Sequence, residues 1–171
     1  KNFLIYGLGK SGISSLKYLR QKNKCFIFDD NKNKINNKFK RFFISKSKLL
    51  NNNFDYIVIS PGININRCQL SNYLKKNQKK VITDFDIFYK FNPEVLTITI
   101  TGTNGKSTTS KLLYDILKNH HYDARLTGNI GNPILEEKRV TRNTIFVIEA
   151  SSYQLAYSKY FKSKFSICLL Y

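Results

Sequence analysis

The sequence predicts an α/β fold made of two consecutive units, each with a parallel β-sheet covered by helices. Apolar runs of strand length alternate along the chain with segments of helical periodicity, a pattern typical of parallel sheets with crossover helices. A glycine-rich loop follows the first strand of each unit. The Pro-containing break at residues 91–94 separates the units, so we expect one domain at residues 1–93 and the first part of a second at residues 94–171.

The first unit contains short apolar runs that fit β-strands. We assign strands to residues 3–6, 25–28, 56–60 and 81–82, with another short strand at residues 42–44. Apolar residues at helical spacing predict helices at residues 12–22, 68–76 and 84–90. The stretch at residues 30–38 is rich in Asn and Lys, and we expect it to form a loop.

The second unit begins with alternating β-branched residues, which predict a strand at residues 95–100. Leu112, Leu113, Ile116 and Leu117 then mark a helix. Further strands are expected at residues 122–126, 144–149 and 164–170. The last of these would lie at an exposed edge of its sheet.

The chain is strongly basic. It has 29 Lys and Arg residues against 11 Asp and Glu, a formal net charge of +18 among 171 residues. Such a charge can indicate nucleic-acid binding, because cations displace counterions from phosphates. Here the lysines are spread over many turns beside asparagines, and the aromatic residues fall in strand and helix patterns. We therefore expect a solvated basic surface that attracts anionic substrates, and no nucleic-acid partner.

The cysteines and the hydropathy pattern exclude several other classes of protein. Cys25, Cys68 and Cys168 are far apart and odd in number, so we expect buried or half-buried thiols in a reducing cytoplasm rather than disulfides or a zinc site. His120 and His121 are expected at a helix end without a metal. No apolar run approaches the roughly 20 residues of a membrane span, so no membrane association is expected. The start shows no secretory signal, and since it lacks Met we expect further residues upstream.

The first glycine loop, Gly7-Leu-Gly-Lys-Ser-Gly12, fits the pattern G-x-G-x-x-G between a strand and a helix. In this Rossmann-like arrangement, glycines let backbone amides approach a diphosphate at the helix N-terminus. Asp29, near the expected distance downstream, would accept a hydrogen bond from a ribose hydroxyl. The loop indicates a nucleotide with a diphosphate, NAD and FAD included. Alternatively, its glycines serve only to pack the helix on the strand.

The second loop, Gly102-Thr-Asn-Gly-Lys-Ser-Thr108, also lies between a strand and a helix. Its amides and Lys106 would hold the β- and γ-phosphates of ATP, and the Ser107 hydroxyl would ligate Mg²⁺. The strict P-loop pattern has a glycine where this chain has Ile100, which disfavours an ordinary P-loop NTPase. The predicted ATP-binding residues are Gly102, Thr103, Asn104, Gly105, Lys106, Ser107 and Thr108.

Glu149 ends the predicted buried strand at residues 145–148. A carboxylate at the carboxyl end of such a strand lies beside the phosphate loop and can hold Mg²⁺ directly or through water. The alternative is an acidic residue that caps the next helix or faces solvent.

Together these features resemble the Mur ligases, which use ATP to join an amino acid to a UDP-linked muramoyl precursor. Folylpolyglutamate synthases share the ATP loop but lack a nucleotide-sugar domain in front of it. The motifs that are most similar to the D-glutamate-adding member of the family are Gly7–Gly12, Ser60–Ile63, Asp84–Phe88, Gly128–Gly131 and Glu149–Leu155. The resemblance covers essentially the whole chain. It implies a Rossmann-like UDP-substrate domain followed by the first part of a P-loop-type ATPase domain.

The resemblance also implies roles for residues at matching positions. The uridine and diphosphate would be held by Leu8, Gly9, Lys10, Ser11, Gly12, Asp29, Ser60, Pro61 and Gly62. The path from this substrate to its reacting carboxylate would be lined by Asn129, Ser151 and Gln154. Lys106 and Glu149 would be catalytic, and Ser107 and Glu149 would bind Mg²⁺. Asp30 and Asn31 depart from the hydroxyl-plus-basic pair expected after Asp29.

The reaction implied is the addition of D-glutamate to UDP-N-acetylmuramoyl-L-alanine through an acyl phosphate, with ATP and Mg²⁺, by a cytoplasmic monomer that makes peptidoglycan precursors. The amino acid would bind to a further domain outside these residues, so we expect this fragment to be inactive alone. Three alternatives stay open: a Mur ligase that adds L-alanine or a diamino acid, an NAD-dependent oxidoreductase that uses only the first loop, and a nucleic-acid-binding module.

Overall fold

A computed structural model describes residues 1–35 and 37–170. By their contacts these residues form two compact units, one from Lys1 to Asp84 and the other from Phe85 onward. Each unit has its own four-stranded parallel sheet, which confirms the predicted α/β class. The helix Asp84–Phe91 starts where the units divide, whereas the boundary predicted from the sequence lies after residue 93.

The first sheet consists of β1 (Asn2–Tyr6), β2 (Lys24–Phe28), β3 (Tyr56–Ile59) and β4 (Val81–Ile82), in the order β2-β1-β3-β4. In register, Leu4 of β1 lies between Phe26 of β2 and Ile57 of β3. The segment predicted as a strand at residues 42–44 forms only an isolated bridge between Phe43 and Ile27. It is otherwise the end of a 3₁₀ turn, Asn37–Phe42.

Three helices accompany this sheet: α1 (Lys10–Leu19), α2 (Lys46–Leu50) and α3 (Ser71–Lys76). Helix α1 lies against β1, β2 and β3, and its Leu16 side chain is fully buried. Short 3₁₀ turns at Lys32–Lys34, Asn37–Phe42 and Gln78–Lys80 fill part of the connections. The first two of these turns occupy much of the predicted loop after β2.

The second sheet consists of β5 (Leu96–Gly102), β6 (Ala124–Gly128), β7 (Ile145–Glu149) and β8 (Phe165–Leu169), in the order β6-β7-β5-β8. Three helices belong to this unit: α4 (Asp84–Phe91, from its second residue), α5 (Lys106–Asn119) and α6 (Ser152–Tyr157). Helix α5 lies against β5, β6 and β7. Strand β8 pairs, among the described residues, with β5 alone and so lies at the edge of the sheet.

The core of the second unit is rich in aromatic residues. Phe85 and Phe88 of α4 are buried in one cluster with Phe146 and Ile148 of β7, and the ring centroids of Phe88 and Phe146 are 4.7 Å apart. Burial of such side chains contributes roughly 1.5–3 kcal/mol each, so this cluster fixes α4 to the second unit. Within residues 1–35 and 37–170, no helix is both long and apolar enough to cross a bilayer.

Candidate functional sites

The first glycine loop connects β1 to α1 at the carboxyl end of the sheet. Gly7 has a φ of +95°, a conformation that side chains with a Cβ rarely adopt. Gly9 is the N-cap of α1 in an extended conformation, and its carbonyl accepts the first helical hydrogen bond from the amide of Ile13 at 3.0 Å. The amides of the first turn therefore have no partner within the helix, which is the geometry that binds a phosphate group.

The three glycines of this loop have different surroundings. A Cβ on Gly12 would lie 1.8 Å from the carbonyl oxygen of Gly7, and one on Gly7 would lie 2.8 Å from Cβ of Ser60. A Cβ on Gly9 would meet nothing within 4 Å. Gly7 and Gly12 are thus required for packing, while Gly9 borders open space where a ligand can approach the backbone.

Asp29 is a buried residue that holds the glycine loop in place. One of its oxygens, Oδ2, accepts a hydrogen bond from the amide of Leu8 at 2.6 Å, and Oδ1 accepts one from the amide of Asn31 at 2.8 Å. The Leu8 amide is therefore engaged within the protein, and a ligand contact of Leu8, which the resemblance implied, stays a prediction. Each carboxylate oxygen keeps a second lone pair, so Asp29 can still accept a hydrogen bond from a ribose hydroxyl.

The other predicted residues of this site surround the loop. The Ser60 hydroxyl is buried and donates to the carbonyl of Gly7 at 2.6 Å, which ties the end of β3 to the loop. The Ser11 hydroxyl donates to Asp84 at 2.6 Å. Lys10 and Gly62 are exposed, Pro61 is half-buried, and a Cβ on Gly62 would meet nothing within 4 Å. The structure thus brings these positions together, with Ser60 and Ser11 in structural hydrogen bonds.

A cavity of about 520 Å³ opens at the carboxyl end of β2, and Asp29 and Asp30 line it. Asp30 accepts a hydrogen bond from the Tyr6 hydroxyl at 2.6 Å and one from the amide of Gln69 at 3.3 Å. Burial and the hydrogen bond to Asp30 raise the pKa of Tyr6 far above its usual range, so this hydroxyl keeps its proton. The Tyr6 hydroxyl of β1 therefore stays protonated, and its hydrogen bond holds Asp30 against the sheet.

The second glycine loop connects β5 to α5. Gly102 has a φ of +139°, and a Cβ there would lie 2.2 Å from the carbonyl oxygen of Leu169. Gly105 has a φ of +75° and is the N-cap of α5. The residues predicted to bind phosphates, Thr103, Asn104, Ser107 and Thr108, are exposed around this N-terminus. Loop and helix thus have the strand-loop-helix geometry that binds the phosphates of a nucleotide.

Lys106 lies in the first turn of α5 and folds back over the loop. Its ammonium group donates to the carbonyl of Gly102 at 2.7 Å and to that of Thr103 at 2.9 Å. These bonds place a positive charge directly at the loop. Phosphate oxygens would replace the two carbonyls as acceptors, because their negative charge attracts the ammonium group in addition to accepting its hydrogen bonds.

Glu149 ends β7, next to β5 in the sheet, where it lies opposite Ile100. It is 4% exposed, and its Oε2 is buried without a hydrogen-bond partner in the part of the chain that the structure describes. Burying a carboxylate oxygen without a hydrogen-bond donor costs free energy of folding, unless a bound cation or a donor from a ligand contacts the oxygen. Glu149 and the exposed hydroxyl of Ser107 fit Mg²⁺, which takes one or two protein oxygens together with phosphates and water.

The remaining predicted residues lie at the carboxyl ends of β6 and β7. The Asn129 amide donates to the carbonyl of Glu149 at 2.9 Å, and Asn129 itself is exposed. Ser151 and Gln154 form a capping box at the start of α6, in which the Ser151 hydroxyl accepts from the Gln154 amide at 3.2 Å and Gln154 Oε1 accepts from the Ser151 amide at 3.1 Å. These two residues therefore have a structural role in the helix cap.

Sequence reasoning did not assign Lys32, Lys40 and Lys46, which line the cavity at the end of β2. With 29 basic residues in the chain, composition offers no signal that separates these three from the rest. Only the structure shows that these three residues, which lie in separate turns and in α2, border the same space.

Comparison with known proteins identifies both units. Residues 1–83 match the family described as "Mur ligase MurD-like, N-terminal domain", and residues 100–170 match "Mur ligase middle domain". Among solved structures, the UDP-N-acetylmuramate:L-alanyl-gamma-D-glutamyl-meso-diaminopimelate ligase of Neisseria meningitides shares the fold. Its TM-score is 0.55 at 12% identity, over 99% of this chain and 60% of that one.

Curated relatives support the same family. The chain is 35% identical to the UDP-N-acetylmuramoylalanine--D-glutamate ligase of Rickettsia bellii over 99% of this chain and 38% of that protein. The proteins of the same name from Caldicellulosiruptor bescii and Clostridioides difficile are 35% and 31% identical, again over 99% of this chain, which covers 39% and 40% of their lengths. The chain thus spans about two fifths of these relatives. With two glycine loops at the carboxyl ends of two parallel sheets, and with both family descriptions matched in order, the chain belongs to the Mur ligase family.

Proposed function

We propose that this chain is the front part of a UDP-N-acetylmuramoylalanine--D-glutamate ligase, an ATP-dependent enzyme of peptidoglycan precursor synthesis. The observation that carries the proposal is the presence, in this order, of two different glycine loops between a strand and a helix. The first, with Gly9 bordering open space, suits a nucleotide diphosphate, and the second, with Lys106 and Glu149, suits ATP. The curated relatives over the whole chain bear the name of this ligase.

In this proposal the first unit binds UDP-N-acetylmuramoyl-L-alanine. The amides at the start of α1 take the diphosphate, and Asp29 accepts a hydrogen bond from the ribose. Lys10 and the turn at Ser60–Gly62 complete the pocket around the loop. Asn129, Ser151 and Gln154 line the path to the reacting carboxylate, with Ser151 and Gln154 acting chiefly through the cap of α6.

The second unit binds ATP at residues Gly102 to Thr108. Lys106 neutralises charge on the β- and γ-phosphates, and Glu149 and Ser107 would hold the Mg²⁺ ion. When bound, this ion would neutralise part of the charge that develops on the transferred phosphoryl group. Glu149 lies at a fixed strand end, so its carboxylate needs no rearrangement of the backbone to meet the nucleotide.

The proposed reaction requires that two negatively charged reactants, the carboxylate of the muramoyl-alanine and ATP, are aligned. A carboxylate oxygen of the muramoyl-alanine attacks the γ-phosphorus, the bond to the β,γ-bridging oxygen breaks, and ADP leaves. The amine of D-glutamate then attacks the acyl phosphate, loses a proton, and displaces inorganic phosphate to leave an amide. The contribution of the protein is positioning and charge neutralisation, which supply most of the catalysis in phosphoryl transfer.

We further infer that the whole protein acts in the cytoplasm as a monomer on small anionic substrates, without a nucleic-acid or membrane partner. D-Glutamate would bind to a part of the ligase outside these residues. The 171-residue chain alone is therefore expected to incorporate no D-glutamate, and detectable incorporation would contradict this division of roles.

Calorimetric titration of the chain with UDP-N-acetylmuramoyl-L-alanine tests the proposal, with NAD as the comparison ligand. Saturable binding of the UDP compound without a response to NAD is the expected result. NAD binding without a response to the UDP compound would contradict the proposal and favour an oxidoreductase. The Gly12→Ala variant serves as a negative control for binding, since its added Cβ would clash with the carbonyl of Gly7 and distort the loop that the ligand needs.

A further inference from the structure

A polar cluster in the second unit ties the segment after β6 to the strand itself. Its members are Asp123, Arg125, Asn132 and Glu137. Arg125 lies in β6 and forms ion pairs with Asp123 at 2.9 Å and with Glu137 at 3.4 Å. The Glu137 side chain is only 7% exposed, so its carboxylate is largely removed from water. A carboxylate in such a place needs the opposite charge and the hydrogen bonds that the cluster gives it.

Each oxygen of the Glu137 carboxylate has a different partner. Oε2 contacts the guanidinium group of Arg125, and Oε1 accepts a hydrogen bond from the side-chain amide of Asn132 at 2.9 Å. Glu137 thus joins a residue of β6 to a residue of the loop that follows this strand. Both partners act as donors, so the connection requires an acceptor at position 137.

The loop from Gly128 to Asn132 turns back against β6. The backbone amide of Asn132 donates to the carbonyl of Leu126 at 3.1 Å, and Gly131 has a φ of +73° that permits this turn. A Cβ on Gly131 would lie 2.0 Å from the same carbonyl oxygen. The backbone of the loop is therefore folded tightly, and Glu137 holds its end through the side chain of Asn132.

Asn129 lies inside this loop, and the proposed function places it on the path to the reacting carboxylate. Its amide donates to the carbonyl of Glu149 at 2.9 Å, while the residue as a whole is exposed. A Cβ on Gly128 would lie 2.1 Å from that same carbonyl oxygen. How the loop is fixed at its two ends therefore determines where the Asn129 side chain lies. The end of β7 fixes one of them, and Glu137 fixes the other through Asn132.

We propose that Glu137 is a positioning residue for the UDP-linked substrate: it fixes the loop through Asn132 and thereby holds Asn129 where it meets the muramoyl-alanine part. This inference rests on the proposed function and deepens it. In this role Glu137 makes no contact with the substrate and acts only through the loop. A contact group that is displaced by about 1 Å loses much of its effect, because binding and alignment depend on geometry at that scale.

The test measures the affinities of UDP and of UDP-N-acetylmuramoyl-L-alanine for the chain and its variants. UDP lacks the muramoyl-alanine part, so its affinity reports on the nucleotide site alone. Glu137→Ala removes the acceptor of the Asn132 side chain, whereas Glu137→Gln keeps a carbonyl oxygen for it. The matched control, Glu94→Ala, removes the same charge from an exposed residue of the same unit. Thermal unfolding shows whether each variant is folded.

We expect Glu137→Ala to lose about tenfold in affinity for UDP-N-acetylmuramoyl-L-alanine and less than about twofold in affinity for UDP. Glu137→Gln should keep most of both affinities, and Glu94→Ala should keep both unchanged. The Asn129→Ala background removes the contact that is being positioned. Glu137→Ala should cause no further loss in that background, since the effects of two residues that act through one contact are not additive.

Three results would overturn the proposal. An equal loss of both affinities would indicate general destabilisation, and an unchanged substrate affinity would leave Glu137 with a purely structural role. A full further loss in the Asn129→Ala background would show that Glu137 acts through another contact.

If Glu137→Ala does not fold, Asn132→Ala removes the same hydrogen bond from its other end and leaves Glu137 paired with Arg125. That variant must then show the same pattern of affinities, and any of the three results above in Asn132→Ala would overturn the proposal equally. Failure of the unchanged chain to bind UDP would instead contradict the proposed function itself.

Discussion

At the scale of single residues, the glycines of the first loop have different roles, in packing for Gly7 and Gly12 and in ligand approach for Gly9. Gly12 faces the carbonyl of Gly7 and Gly7 faces Ser60, so the fold needs both positions without a side chain. Gly9 has a φ of −72° and open space where its Cβ would be, so the fold accepts alanine there. A ligand on the amides of α1 would occupy this same space.

We therefore predict that Gly9→Ala lowers the affinity for UDP-N-acetylmuramoyl-L-alanine about tenfold or more, while its melting temperature stays close to that of the unchanged chain. The methyl group occupies the approach of the diphosphate to the backbone. Gly12→Ala should instead lose roughly 1–3 kcal/mol of stability through overpacking. Calorimetry and thermal unfolding of the two variants distinguish these effects, and a destabilised Gly9→Ala protein would contradict the first prediction.

Glu149 poses the reverse situation, a buried carboxyl group that the described residues leave partly unsatisfied. Its Oε2 has no partner among the described residues, and an unpaired buried polar atom costs roughly 1–3 kcal/mol. Residues that reduce stability in this way are typical of sites that a ligand completes.

The Glu149→Gln variant should accordingly unfold at the same temperature as the unchanged chain or slightly higher. At the same time it should lose the increase in ATP affinity that Mg²⁺ produces, since the amide is a poor metal ligand. Lys106→Ala should weaken ATP binding both with and without Mg²⁺. The measurement is a titration with ATP in the presence of Mg²⁺ and in the presence of a chelator. A Mg²⁺ effect of full size in Glu149→Gln would exclude this residue as a ligand.

At the scale of elements, Asp86 of α4 holds the connection between α6 and β8. Its Oδ1 accepts hydrogen bonds from the amides of Lys159, Tyr160 and Phe161 at 2.7–3.0 Å, and the residue is buried. Three amides that converge on one carboxylate oxygen fix the course of the chain into β8. Strand β8 in turn lies beside the second glycine loop, where the carbonyl of Leu169 accepts a hydrogen bond from the amide of Thr103 at 3.2 Å.

We predict that Asp86→Asn destabilises the second unit by roughly 2 kcal/mol, because charge-assisted hydrogen bonds become neutral ones. Asp115→Asn is the matched control, since Asp115 is an exposed residue of α5 in a surface ion pair with Lys111, whose loss should cost less than about 0.5 kcal/mol. Urea denaturation of both variants measures the difference. Equal stability of the two would show that the Asp86 contacts do not hold the connection.

Sequence periodicity predicted where helix α5 lies, but it did not predict which face of this helix is buried. Helix α5 was predicted from Leu112, Leu113, Ile116 and Leu117, yet Leu112 is 59% and Ile116 is 47% exposed, while Ser110 is fully buried. The periodicity identifies a helix, but the stripe that these apolar residues form does not coincide with the face that is buried. The expected strand at residues 42–44 failed for a similar reason, because three apolar residues do not establish a strand.

In the candidate sites, too, some features could be predicted from the sequence and others could not. Glycine loops are readable from sequence because their pattern reflects backbone geometry, and both loops lie where the pattern predicts. Ser151 and Gln154 also fit the S-x-x-Q pattern of a capping box, which is the arrangement that the structure shows. The lysines of the cavity could not be predicted, since they lie in separate turns and in α2 and come together only in the folded structure.

At the scale of the whole molecule, the net charge and the open sheet edge have opposite effects on association between molecules. A charge of +18 on 171 residues makes the molecules repel one another at low salt. Strand β8, however, lies at the edge of its sheet among the described residues and leaves Phe165 60% exposed. Such an edge is a template for pairing with another strand. Its exposure also explains why Cys168 is exposed rather than buried or half-buried.

We predict that the chain is monomeric at low salt and associates as salt rises toward 1 M, where charges are screened over about 3 Å. Phe165→Lys should prevent most of this association, because it places a charge on the edge strand without removing a buried side chain. Leu112→Lys is the control, since it removes an equally exposed apolar residue from α5 rather than from the edge. Light scattering on a salt series compares the three proteins. If both variants suppress association equally, general surface hydrophobicity rather than the edge strand causes it. If the unchanged chain stays monomeric at 1 M salt, the edge strand does not mediate association.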